Sequence, residues 1–123
     1  MLCRDCEQIQ RDTGLWYSAE YSTFSISDEV GKYQLTVAGY SGDAGDAMAA
    51  AQNPVYYANG RMFSTQDSDN DANAGGNCAA DWGGGWWFRW CSTNHINRHD
   101  DGIWVTGTPV LDVQASRMLV KLN

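Results

Sequence analysis

Phe63-Ser64-Thr65-Gln66-Asp67-Ser68-Asp69-Asn70-Asp71-Ala72-Asn73-Ala74-Gly75-Gly76-Asn77-Cys78 runs directly into Ala79-Ala80-Asp81-Trp82-Gly83-Gly84-Gly85-Trp86-Trp87-Phe88-Arg89-Trp90-Cys91. The first part sets carboxylates at alternate positions, Asp67, Asp69 and Asp71, followed by Asn73 and Gly75. Like charges this close repel one another unless a cation neutralises them. A hard cation such as Ca²⁺ takes about six to eight oxygens from carboxylates, amides and backbone carbonyls. An EF-hand would need Gly at its sixth position and Glu at its twelfth. Counting from Asp67, those positions hold Ala72 and Cys78, so this is no EF-hand. The plain alternative is a solvated acidic turn with Asx hydrogen bonds. Residues 64–85 are almost wholly Ser, Asp, Asn, Gly and Ala, and a long unstructured stretch inside a compact domain points to function.

Outward from that stretch the chain reads as short strands and irregular loops. Upstream, Tyr21, Phe24 and Ile26, a turn at Asp28-Glu29-Val30-Gly31, and the alternation of Tyr33, Leu35 and Val37 predict two strands around a turn. Asp46-Ala47-Met48-Ala49-Ala50-Ala51 predicts a turn or two of helix capped by Asp43 or Asp46. Downstream, Gly102-Ile103-Trp104-Val105-Thr106 and Met118-Leu119-Val120-Lys121-Leu122 read as two further strands. Residues 1–20 are polar, with Gly14-Leu15-Trp16-Tyr17 their one apolar cluster. The expected fold is α+β, a small antiparallel sheet with long irregular loops. Its expected division is an N-terminal cysteine-containing segment at 1–20 and one domain at 21–123.

The chain has 123 residues, 8 Lys+Arg against 15 Asp+Glu, 6 Trp and 6 Tyr. That length suits one domain, and a disordered chain would carry fewer aromatics. A formal charge of -7 disfavours a phosphate-backbone partner and an anionic membrane surface. No apolar run is long enough to cross a bilayer, and Met1-Leu2-Cys3-Arg4-Asp5 does not read as a signal peptide. The expectation is no nucleic acid and no membrane insertion.

The cysteines fall as Cys3/Cys6 and Cys78/Cys91. Only two residues precede Cys3-Arg4-Asp5-Cys6, so the strand-then-helix context of a redox motif is missing. That pair reads as a terminal tether or an oligomer bridge, with half a zinc site as the alternative. A bridge between Cys78 and Cys91 would close a loop worth ~3 kcal/mol in the entropic account. The even count favours an oxidising compartment, hence a secreted, extracellular protein.

The opening stretch, together with Tyr33-Gln34-Leu35-Thr36-Val37, Tyr40-Ser41-Gly42-Asp43-Ala44-Gly45-Asp46-Ala47, Asn94-His95-Ile96-Asn97, Asp101-Gly102-Ile103-Trp104 and Ser116-Arg117-Met118, resembles the fibrinogen C-terminal domain family. Ficolins, tachylectins and angiopoietins belong to that family. The resemblance is collinear from about Tyr21 to Leu122. It implies that Cys78 and Cys91 form a short-loop disulfide. It also implies a Ca²⁺ site on Asp69 and Asp71 with backbone carbonyls near Asn73 and Gly75; Asp67 is a further candidate metal ligand.

Departures from the family pattern are as informative. Cys6-Glu7-Gln8-Ile9 and Gly14-Leu15-Trp16 look like the family's first residues, yet the large block that normally follows is missing. The chain therefore looks like a short form, and Cys6 must pair with Cys3, pair with another chain, or stay free. In the family's acetyl-recognising lectins the pocket uses positions that here hold Phe88, Ser92, His99 and Asp100, and all four differ. The expected pocket is walled by Phe88 and Trp87, with His95 and His99 as donors. Trp82 is the expected exposed contact, while Trp86 and Trp87 are expected to be one buried and one half-buried. His95 and His99 next to Asp100 and Asp101 lie among turn formers, which argues against a helical zinc site.

No nucleophile elbow, phosphate-cradling loop or His-Glu-x-x-His occurs, so no enzyme is expected. The expected function is a calcium-stabilised extracellular recognition module, lectin-like and of innate-immune type, binding a glycan or protein ligand beside the acidic loop. The alternative is a structural or assembly subunit, a homo-oligomer linked through Cys3/Cys6, with no small ligand.

Overall fold

Four antiparallel strands carry the molecule. A computed structural model describes residues 5–11, 13–49, 56–92, 94–100, 102–105 and 111–121. The strands are β1 (Asp5–Gln10), β2 (Trp16–Ile26), β3 (Leu35–Gly42), β4 (Phe63–Ser64), β5 (Trp86–Trp87), β6 (Gly102–Trp104), β7 (Leu111–Val113) and β8 (Ala115–Val120); the one helix among the described residues is α1 (Cys78–Trp82). The main sheet has the order β3-β2-β1-β8, and β4-β5 and β6-β7 are two-stranded. This is the α+β fold of a small antiparallel sheet with long irregular loops.

β1 was not legible as a strand. Asp5-Cys6-Glu7-Gln8-Ile9-Gln10 shows one aliphatic residue, Ile9, which is buried. Its place is decided by pairing on both sides, with Ile9 opposite Tyr17 of β2 and Ser116 of β8. Residues 5–20 thus supply β1 and the first part of β2, and a boundary at 20/21 falls inside a strand. Cys3 lies outside the described residues, and Cys6 stands opposite Glu20 and Leu119.

The β2–β3 hairpin forms as read, but with one change. Buried positions run Ala19, Tyr21 and then half-buried Phe24 in β2, and Leu35, Val37 and then half-buried Tyr40 in β3. The inward parity switches in both strands around Gly39, whose φ is +70°. A residue with a Cβ is strained there, so glycine lets Tyr21–Tyr40 and Phe24–Val37 reach one core. Tyr33, expected on the strand, belongs to the turn instead and is 43% exposed.

The helix expected at 46–51 is a turn over its described residues. Asp46 Oδ1 does accept the Ala49 N–H at 3.0 Å, as a cap would, but three described turn residues follow and no helix. Asp43 is engaged elsewhere, accepting the Ser18 N–H at 2.7 Å. This turn is held by the core. Tyr21 donates to Asp46 at 2.8 Å, Trp104 Nε1 to the Gly45 carbonyl at 3.0 Å, and Asn94 Nδ2 to the Ala47 carbonyl at 2.8 Å. Trp86 and Trp87 are both buried, at 2% and 7% exposure, which corrects the expected half-burial of one of them. Among the described residues no helix is long and apolar enough to cross a membrane.

Candidate functional site

The acidic loop connects β4 to α1 and is shaped by its own side chains. Asp67 Oδ1 accepts the Thr65 hydroxyl at 2.8 Å, a bond that holds its carboxyl below the usual range. Asp69 Oδ1 accepts the Asp71 N–H at 3.1 Å. Asp71 is more tightly held: Oδ1 accepts the Asn73 N–H at 2.8 Å and Oδ2 the Cys78 N–H at 2.9 Å. Burial raises the Asp71 pKa first, and the Asp69 carboxylate beside it adds to the rise. Two neighbouring carboxylates that share one place are what a dication relieves.

The donor set can be weighed for Ca²⁺ on this geometry. Asp69 and Asp71 supply two negative charges side by side, and each Asp71 oxygen keeps a lone pair beyond its backbone hydrogen bond. The Asn73 carbonyl accepts the Gly76 N–H at 3.1 Å, which tightens the loop below the pair. Among the described residues no three His, Cys, Asp or Glu side chains converge, and Asp67 is turned to Thr65. The residues present fit a hard cation on the Asp69–Asp71 pair, completed by carbonyl and water oxygens.

Cys78 and Cys91 are disulfide-bonded, with Cα atoms 5.1 Å apart. The bond joins the start of α1 to the segment after β5. On the far side of it lies a cavity of about 180 Å³ lined by Tyr56, Trp82, Phe88, Ser92, His95 and Arg98, with Cys91 and Ile103 completing it. Four of the six ligand residues expected from sequence, Trp82, Phe88, Ser92 and His95, therefore meet in one place. Trp87 and His99 do not line it, which corrects the expected pocket. His99 is exposed and packs instead beside Gly83, its N–H donating to the Trp82 carbonyl at 3.3 Å.

Asp100 reaches the cavity only through Arg98. Its carboxylate accepts from Arg98 Nε at 2.6 Å and Nη2 at 2.7 Å, and this pairing holds it below the ordinary carboxylate range. The guanidinium so fixed sits over the Trp82 ring, 4.4 Å from its centroid. Trp82 remains 40% exposed, as expected for a contact residue. Sequence reasoning missed Tyr56, Arg98 and Ile103. Arg98 carried a faint signal, a cation two residues from Asp100, whereas Tyr56 and Ile103 carried none.

His95 is the chemical centre of the cavity. It is 2% exposed, lies between Trp86 and Phe88 at ring-centroid distances of 6.1 and 4.8 Å, and neither ring nitrogen has a hydrogen-bond partner among the described residues. Burial, with Arg98 second, lowers its pKa to about 4, so the imidazole is neutral at physiological pH. A buried, unpaired polar group costs free energy unless a water or ligand satisfies it. Ser92 is already committed, its hydroxyl bonded to the Asn94 side chain.

Residues 5–107 match the family model for fibrinogen beta and gamma chains, C-terminal globular domain. The chain belongs to the fibrinogen C-terminal domain family. Chicken tenascin (Gallus gallus) is 40% identical over 99 residues, covering 76% of this chain and 5% of that protein. The fibrinogen-like globe domain of human ANGPTL6 superposes with a TM-score of 0.79 at 28% identity, over 97% of this chain and 56% of that one. A lamprey fibrin D-dimer complexed with the peptide ligand Gly-His-Arg-Pro-amide superposes with a TM-score of 0.67 at 27% identity, over 85% and 36%. The chain spans little more than half of the ANGPTL6 globe domain.

Proposed function

We propose that this fibrinogen C-terminal domain is a calcium-stabilised extracellular recognition module, not a catalyst. Its ligand is a glycan or protein that inserts one end group into the cavity beside the Cys78–Cys91 disulfide. The observation that carries this reading is the buried His95 ring, unpaired at both nitrogens among the described residues and lining a small, mostly apolar cavity. A cavity of about 180 Å³ is below the usual range for a whole drug-sized ligand. It suits an acyl group, a single side chain or one edge of a sugar. The neutral imidazole carries one donor and one acceptor, both closed to solvent in the unliganded domain, which such a group would reach by a small shift of the cavity wall. The lamprey relative's peptide complex supports a protein or peptide end group as one candidate.

Calcium would act at a distance through bonded contacts. The ion neutralises Asp69 and Asp71, Asp71 grips the Cys78 N–H, and the disulfide passes that order to Cys91 in the cavity wall. Calorimetric titration with glycan and peptide panels, in Ca²⁺ and then in chelator, tests the reading. Binding that needs Ca²⁺ and is lost in His95→Ala supports it; binding indifferent to both overturns it.

One observation favours the assembly reading. β8 is an edge of the main sheet, and its Leu119 and Val120 are 52% and 51% exposed. Exposed apolar edge strands pair readily with another chain. Sedimentation of the wild type against Leu119→Lys, with and without reductant, separates a β8-mediated dimer from one linked through Cys3/Cys6.

A further inference from the structure

A second cavity, of about 300 Å³, lies between the β2–β3 turn and the start of the acidic loop, lined by Glu29, Lys32, Tyr33, Phe63, Thr65, Ser68 and Asn70. None of these seven residues lines the His95 cavity. We propose that it is a separate binding site for a neutral, polyhydroxylated ring, a single saccharide unit.

The turn that forms its rim is built at a conformational cost. Lys32 and Tyr33 are consecutive non-glycine residues with φ of 56° and 54°, although Gly31 stands immediately before them. Side chains rarely adopt that region, and such residues concentrate at sites of function. Neighbours fix the conformation. Phe63 N–H donates to the Lys32 carbonyl at 3.0 Å, and Trp87 Nε1 donates to the Tyr33 carbonyl at 2.8 Å. The turn's own bonds, Lys32 N–H to Glu29 O at 2.9 Å and Tyr33 N–H to Asp28 O at 3.1 Å, complete it. Two side chains are thereby presented at the cavity before any ligand arrives.

The lining selects the ligand class. Lys32 Nζ donates to Asn70 Oδ1 at 2.7 Å, which orients the ammonium and leaves two donors unspent. Glu29 is exposed and its side chain makes no hydrogen bond among the described residues, so its carboxylate is an open acceptor. A cation is disfavoured by Lys32, and an anion by Glu29 and by the net charge of -7. An apolar ligand would strand the rim's polar groups. Neighbouring hydroxyls satisfy both signs, each donating to Glu29 or accepting from Lys32. Tyr33 and Phe63 supply ring surface for the apolar face of the sugar, and the volume matches one ring better than a chain.

Amide-resolved NMR titration of the full chain in Ca²⁺ tests this, with methyl glucoside, methyl galactoside and methyl mannoside as probes. These lack the acyl and peptide groups proposed for the His95 cavity, and a sugar edge entering that cavity instead would move His95 and Trp82. The expected result is movement of Lys32, Tyr33, Phe63, Thr65, Ser68 and Asn70 with His95 and Trp82 still. Lys32→Asn and Tyr33→Asn, which keep a residue tolerant of positive φ, should weaken binding at least tenfold while the unliganded spectrum stays folded. Movement confined to His95 and Trp82, no movement with any glycoside, or unchanged binding by both Asn variants overturns the site. Failure of this site leaves the His95 reading standing, because that reading is tested separately by His95→Ala with glycan and peptide panels in Ca²⁺ and in chelator.

Discussion

The carboxylate of Asp71 accepts the amide N–H of Cys78 at 2.9 Å, so the acidic loop and the disulfide that borders the cavity share one hydrogen bond. Asp71 also receives the Asn73 N–H at 2.8 Å. Asp71→Ala should therefore harm the protein twice. In chelator it leaves two backbone donors short of their acceptor, a loss of about 1–3 kcal/mol. In Ca²⁺ it also removes any rise in Tm from the metal. Asp69→Ala should abolish the calcium response and cost the chelated protein less than Asp71→Ala, because it strands one backbone donor, the Asp71 N–H, rather than two, and relieves the repulsion that adds to the Asp71 pKa rise. Melting both variants with and without Ca²⁺ checks the pair, and equal behaviour would sink the assignment of separate roles.

Reduction of the Cys78–Cys91 bond releases a loop closed over a sequence separation of 13. The expected loss is about 3 kcal/mol in the entropic account, which for a domain of this size lowers Tm by on the order of 10 °C. Cys78→Ala/Cys91→Ala should reproduce that drop under non-reducing conditions. A double variant that melts with the wild type would mean the loop is ordered by Asp71 and the Trp86–Asn94 bond at 2.9 Å without help from the bridge.

The run Gly83-Gly84-Gly85 lets α1 and β5 approach the 94–100 segment. Gly84 has φ +80°, and a Cβ there would collide with the Asn97 carbonyl oxygen, a backbone atom. Gly83, at φ +75°, would meet the His99 ring, an exposed side chain that can swing away. Gly84→Ala should thus cost several kcal/mol, while Gly83→Ala should cost the ~1–3 kcal/mol of a side chain held in a sparsely populated backbone region, at φ 75° and ψ 139°. Denaturant unfolding of the two variants measures the difference. Equal losses would mean the Asn97 backbone yields as easily as the His99 side chain.

Much of this architecture was legible because local signals agreed with it. The β2–β3 hairpin carries alternating apolar residues around a turn. α1, by contrast, falls inside the stretch 64–85 read as unstructured, although Asn77 caps it by accepting the Ala80 N–H at 3.0 Å. Elsewhere the reading failed where a long-range contact had overruled the local pattern. β1 is polar in sequence and exists because β2 and β8 flank it. Tyr33 alternates correctly for a strand, yet Trp87 bonds its carbonyl from 54 residues away and Phe63 bonds that of Lys32 from 31. The cavity residues Tyr56 and Ile103 are brought together only by packing, so no spacing could have paired them.

Arg98 bridges Asp100 and the Trp82 ring, so it couples a charge to the cavity mouth. Arg98→Ala should leave Trp82 free to change rotamer and weaken cavity binding by roughly tenfold, the scale of one cation–π contact. Asp100→Asn should spare the Tm but raise the mobility of Arg98. Tryptophan fluorescence quenching reads the first effect and Arg98 side-chain relaxation the second. If both variants bind ligand as tightly as wild type, the arginine is a surface ornament and the cavity is governed by His95 alone.

His95 gives the protein an acid-sensitive core. In the unfolded chain its pKa is near 6.5, and burial lowers it to about 4 in the folded state. The unfolded state therefore binds the extra proton between those values, and stability must rise with pH across that window. The stabilisation is complete above about pH 6.5 and is lost progressively as pH falls toward about 4. At full extent the effect approaches about 3 kcal/mol by the cost of one pKa unit. His95→Gln, neutral at all these pH values, should flatten the profile between pH ~4 and ~6.5. A ligand that accepts a hydrogen bond from the neutral ring should likewise bind with an affinity that changes little above pH ~5, because the folded-state imidazole titrates below it. Urea unfolding of wild type and variant across that range decides the matter: parallel curves would place the acid sensitivity on other groups, and a slope confined to the wild type would place it on this ring.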